Sequence, residues 1–190
     1  MFSVLDEPSF RQRVSKLSVK EYHHLGEFNE NGKRTELIRG IVIEKMSKSP
    51  LHCTIASTLQ RIMTPRVPLG FCLRREDPLT LRDSEPEPHI AIVVGGDEDY
   101  MHAHPGTAAL AVEVAVTTLE GDRAMAEIYA EAGVQEYWII VPRERLIEVY
   151  LHPEGSRYRE MRTFTRDEEI TSQSVPGLRL ALAELFAALD

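Results

Sequence analysis

Residues 109–141 read ALAVEVAVTTLEGDRAMAEIYAEAGVQEYWIIV, and this stretch decides the fold. Its first eight positions are apolar except for Glu113, the pattern of a strand covered on both faces. From Asp122 to Ala132, Met125, Ile128, Tyr129 and Ala132 recur at helical spacing, and Gly133 follows where a helix stops in the left-handed conformation. EYWIIV (136–141) is a second apolar strand. Strand, helix and strand in this order predict a strand–helix–strand unit over 110–141 in a central sheet with helices on its faces, hence an α/β domain.

Working outward, RLIEVYL (145–151) and RYREMRTF (157–164) predict a hairpin across His152–Gly155. The tail LALAELFAAL (180–189) carries Leu182, Leu185, Phe186 and Leu189 on one helical stripe. Toward the N-terminus, HIAIVV (89–94) is a buried strand, FCLRR (71–75) and LTLR (79–82) are short strands, and HAHPGT (102–107) is a loop. Ser49 followed by Pro50 starts a helix whose stripe is Ile55, Leu59, Ile62 and Met63, ended by Pro65. TELIRGIVIEKM (35–46) is a pair of β-prone runs turning at Arg39-Gly40, preceded by a loop over 27–33 with an Asn-Gly turn. Ser18 and Glu21 form a capping box for a short helix stopping near Gly26. Residues 1–17 lack periodicity and are expected as an arm, leaving 18–190 as a single domain: a mixed central sheet flanked by helices, with additional antiparallel hairpins.

Bulk properties narrow the class. The 190 residues, 43% hydrophobic and 27% charged, suit one well-buried core and argue against disorder. No stretch reaches the ~18 apolar residues a membrane span needs, and residues 1–17 have no secretory pattern. Two cysteines, Cys53 and Cys72, make neither a disulfide framework nor a zinc knuckle, and are expected as buried thiols in a reducing cytosol. With 30 acidic against 22 basic residues and a net charge of -8, tight non-specific DNA binding by a monomer is not expected.

Glu113 is the anomaly. A charge inside an apolar strand is costly unless a metal or cation meets it. Alternation turns it toward the face of Ala111 and Ala115, whose small side chains leave room for an ion. Two further acidic signals stand upstream, Glu36 in ELIRGIVIE and the segment EPEPHIAIVV. Together with SPLHCTI, VEVAV, DRAMAEIYAEAG and EYWII, they occur in the order found in a large bacterial restriction-endonuclease family of the PD-(D/E)XK nuclease superfamily. The chain resembles that family from about Leu17 to Leu151.

The resemblance implies a restriction-endonuclease-like sheet and a phosphodiesterase site with Mg²⁺ on carboxylates and a lysine orienting water. Mg²⁺ prefers hard oxygen ligands, and a nearby cation stabilises charge on the phosphoryl oxygens. Glu36 and Glu113 match two acidic positions, expected to converge with the third as the catalytic, metal-holding group. That third position, an aspartate in the family, is His89 here. The family lysine falls on Ala126, or on Met125 when the alignment is anchored at Tyr129. Asp122 is retained, and His52 is a conceivable supporting ligand. Loss of both the aspartate and the lysine points to a nuclease-like domain with a degenerate, inactive site, a homodimer with at most weak DNA binding. The alternative is a working DNA phosphodiesterase rebuilt around Glu36, His89 and Glu113 with Mn²⁺ or another transition ion, which imidazole suits better. His102 and His104 have metal-like spacing but lie in a loop. His23 and His24 are expected on a helix surface, and Tyr137 and Trp138 in the core.

Overall fold

The structure, a computed structural model, describes residues 6–26 and 32–189. Of the expected arm and 27–33 loop, residues 1–5 and 27–31 lie outside the described residues. Among the described residues, five α-helices, α1 (Pro8–Arg11), α2 (Val19–Gly26), α3 (Pro50–Met63), α4 (Leu119–Glu131) and α5 (Leu182–Phe186), accompany ten strands. These are β1 (Thr35–Ile38), β2 (Ile41–Glu44), β3 (Phe71–Arg74), β4 (Ile90–Val94), β5 (Leu110–Val114), β6 (Glu136–Val141), β7 (Leu146–Glu154), β8 (Arg157–Thr165), β9 (Glu169–Thr171) and β10 (Arg179–Ala181).

β3 to β8 form one sheet in chain order, with β5 and β6 parallel and the other pairs antiparallel. The predicted strand–helix–strand unit is β5–α4–β6. One face of the sheet buries Val112, Val114 and Trp138 under Leu59 and Ile62 of α3 and Leu185 and Phe186 of α5. The other buries Ala111, Ala115, Tyr137 and Ile139 under Ile128 and Tyr129 of α4. The helix stripes predicted from periodicity are therefore the faces that meet the sheet. A helix longer than expected is the main difference at α4, which begins at Leu119 rather than Asp122.

Local chemistry sets the boundaries. Ser49 Oγ accepts from the His52 amide at 3.3 Å, with Pro50 in the first helical turn. The Ser18–Glu21 box is reciprocal: Ser18 N–H donates to Glu21 Oε2 (2.7 Å) and Glu21 N–H to Ser18 Oγ (3.2 Å). β1 and β2 pair around Arg39 and Gly40, both with positive φ (53° and 78°). A side chain at Gly40 would also meet Lys16 Cβ at 2.7 Å, so glycine is required there twice over. The Leu17 amide donates to Gly40 O at 2.9 Å, which ties the expected arm to this turn.

Three expectations are corrected. LTLR is not a strand: Leu79 N–H donates to Pro86 O and Leu81 N–H to Ser84 O, so the segment folds back on its own acidic loop while burying both leucines. The β7–β8 strands run past His152 and Pro153, and the turn lies at Gly155-Ser156. Cys53 is exposed on α3 and Cys72 is half-buried, because Cys53 falls off the Ile55–Leu59–Ile62 stripe.

Candidate functional site

A cleft of about 600 Å³ opens where the β1–β2 hairpin, the start of α3, the loop before β4, and the start of α4 meet. Glu36, His52, His89, Glu113, Asp122 and Met125 all line it. Ala126 lines a different depression, with Tyr150 and Tyr158. Of the two candidate positions for the lysine, only Met125 thus borders the cleft.

Strand register explains the central contact. Ile90 faces Val112 and Ala91 faces Ala111 across β4–β5, so one step further places His89 opposite Glu113 on the same face. There His89 Nδ1 contacts Glu113 Oε2 directly, and the His89 amide donates to that oxygen at 3.3 Å. The Val114 amide also approaches Nδ1, at 3.2 Å. With a carboxylate against it, Nδ1 carries the ring proton and donates it to Glu113 Oε2. Burial lowers the proton affinity of His89, but the charge of Glu113 and its hydrogen bond outweigh it, and the imidazole is held above its ordinary value. The other oxygen, Glu113 Oε1, accepts from the Tyr129 hydroxyl at 3.1 Å.

The remaining carboxylates are also engaged. Glu36 Oε1 accepts from Lys45 Nζ (2.8 Å) and from the Glu87 amide (2.7 Å). Asp122 Oδ2 accepts from the Thr118 hydroxyl at 2.6 Å. Burial, seconded by the negative charge of Glu113, pushes the Asp122 carboxyl up to about 6. The His52 ring packs 4.3 Å from that of His89. Burial and the positive charge of His89 push His52 down to about 4, and its Nε2 has no hydrogen-bond partner.

Glu36, His89 and Glu113 therefore share one cleft, and two of them touch. Among the described residues, however, no three His, Cys, Asp or Glu side chains are grouped to hold a metal ion. The donor set does not fit Mg²⁺: both oxygens of Glu113 meet protein donors, Glu36 shares an oxygen between Lys45 and an amide, and an imidazole takes the place of a hard anion.

The candidates outside the cleft behave differently. His102 and His104 are exposed, with His104 Nδ1 3.4 Å from Arg74 Nη2. His23 is exposed on α2, as expected, and contacts the buried Glu85 through Nε2 (2.8 and 2.9 Å). Tyr137 and Trp138 are fully buried. Arg39 pairs with Glu131 and Arg123 with Glu148, so neither arginine stands in for the lysine that the resemblance implies. What the sequence reading missed is Lys45. Its signal was available: Glu36 faces Ile43 in the hairpin register, so Lys45, two residues on, is Glu36's diagonal neighbour on the same face.

The family described as "Putative restriction endonuclease" (Uma2) matches residues 19–183. The chain belongs to the Uma2 family. Among solved structures, a putative nuclease of DUF820 from Anabaena variabilis superposes with a TM-score of 0.69 at 20% identity, over 92% of this chain and 99% of that one. That likeness concerns the fold. No protein of curated function matches the chain. No helix among the described residues is long and apolar enough to cross a membrane.

Proposed function

We propose that this Uma2 protein is a restriction-endonuclease-like domain that has lost Mg²⁺-dependent phosphodiester hydrolysis and serves as a binding or assembly module, a homodimer with weak affinity for DNA. One observation carries the reading: His89 lies directly on Glu113, where the resemblance implies an aspartate sharing a metal with that glutamate. When bound in such a site, Mg²⁺ would polarise a phosphate and acidify water. Here Glu113 is matched by an imidazole and a phenol instead, and Met125 borders the cleft where an ammonium is implied. One preorganised donor of that kind is worth ~3–4 kcal/mol, or ~10²–10³ in rate, so two losses remove most of the activity. The net charge of -8 agrees with weak DNA affinity.

Purified protein incubated with supercoiled plasmid and Mg²⁺ is expected to give no nicking above background. Robust Mg²⁺-dependent cutting that Glu113→Ala abolishes would overturn the reading. Cutting with Mn²⁺ alone would favour the second reading, a site rebuilt around Glu36, His89 and Glu113. For that reading the unpartnered His52 Nε2 beside His89 is the favourable observation.

A further inference from the structure

The cleft is walled by carboxylates, which in isolation would repel one another. On its hairpin side each is met by a cation of the chain itself. Lys45 Nζ sits between Glu36 Oε1 (2.8 Å) and Glu87 Oε2 (3.0 Å), and it also reaches Glu87 O at 3.4 Å. Arg34 Nη2 takes Glu87 Oε2 at 2.8 Å, and Lys48 pairs with Glu76. The Lys45 side chain is only 16% exposed, and those of Glu36 and Glu87 are 21% exposed. This group is therefore screened less than a surface ion pair, and deleting one member leaves charge uncompensated.

We infer that Lys45 supplies in this cleft the positive charge that a divalent ion supplies in a metal-dependent nuclease: its ammonium is the resident counter-ion of Glu36 and Glu87, and it keeps divalent cations out. The inference rests on the reading of a metal-free cleft and extends it with a cause. Two features favour it over an incidental surface pair. The ammonium bridges two carboxylates from different segments, β1 and the loop before β4, as a shared ion does. The hydrogen-bonded register of β1 and β2 also fixes it there, since Lys45 N–H donates to Arg34 O at 2.9 Å directly after the strand pair. A tethered ammonium acts at high effective concentration and needs no dehydration of an incoming Mg²⁺, whose water is held tightly.

The test is thermal unfolding of the full chain with and without millimolar MnCl₂ or MgCl₂, so no cleavage is read. Wild type is expected to melt at the same temperature in both. Lys45→Met, which leaves Glu36 without its cation, is expected to melt lower in the absence of ion. Added Mn²⁺ should then raise its midpoint by at least ~2 °C, as linkage to a native-state ligand requires. Adding Glu36→Gln to Lys45→Met should abolish the response. Should Lys45→Met not fold, Lys45→Gln serves the same comparison. Equal ion responses in wild type and variant, or none in either, would overturn the inference. Plasmid cutting by wild type in Mg²⁺ bears instead on the loss of activity.

Discussion

The Tyr129 hydroxyl donates to Glu113 Oε1 at 3.1 Å from a ring with no solvent exposure. A carboxylate in the sheet interior needs a partner for each oxygen, and Tyr129 supplies the one that His89 does not. Tyr129→Phe keeps the ring packing against Tyr137, 4.8 Å between centroids, and removes only the donor. It is expected to cost ~1–3 kcal/mol in urea unfolding. A loss below ~0.5 kcal/mol would mean that the hydroxyl is not what satisfies this oxygen.

In a Lys45→Met background, which opens Glu36 to a divalent ion, the pair His89→Asp with Met125→Lys restores both implied groups at positions that border the cleft. This pair is expected to recover Mg²⁺-dependent plasmid nicking, whereas His89→Asp with Ala126→Lys is not, because Ala126 lines a separate depression. Equal recovery by both pairs would show that the Met125 assignment is wrong.

Asp122 and His52 oppose each other in mild acid. The folded Asp122 carboxyl, raised from 3.8 to about 6 by burial first, binds its proton more tightly than in the unfolded chain. Its contribution is complete below about pH 4 and is lost as pH rises through 6. His52, lowered from 6.5 to about 4 by burial first, has the opposite sign: its contribution is present above 6.5 and lost as pH falls through 4. Asp122→Asn removes the first slope and leaves the second. Relative to wild type, the variant should gain stability between pH 4 and 7, by on the order of 2–3 kcal/mol. Parallel urea-derived stability curves for the two proteins over that range would refute the Asp122 shift.

Glu136 is 1% exposed, and four donors converge on it. Trp138 Nε1–H reaches Oε2 at 3.0 Å, while the Ser172 hydroxyl (3.0 Å) and the Gln173 and Ser174 amides reach Oε1. Glu136→Gln turns one acceptor into a donor facing the indole N–H. A loss of ~2–3 kcal/mol is expected, seen in denaturant unfolding with unchanged slope. A neutral substitution would show that the indole finds another acceptor.

Most elements were legible because their signals are local. Periods of 2 and 3.6 residues, the Ser18–Glu21 box, Ser49-Pro50 and Gly133 act over a few positions, and the helix stripes they predict are the faces buried on the sheet. LTLR failed for the converse reason. Its alternation correctly buries Leu79 and Leu81, but alternation specifies a face and not a hydrogen-bond partner, and its amides turn to the Ser84 and Pro86 carbonyls.

By itself the sequence determined the βαβ unit at 110–141, the direction in which Glu113 points, and the ordered motifs that mark the Uma2 family, all properties of neighbours along the chain. Only the tertiary structure decided what the charged groups do. His89 meets Glu113 across 24 positions, Lys45 meets Glu87 across 42, and His23 meets Glu85 across 62. Met125 rather than Ala126 borders the cleft because one residue rotates a helical side chain by ~100°, a difference that alignment cannot settle and packing does. Local periodicity chooses which side of an element is buried. Which partner waits there depends on how distant segments close around it.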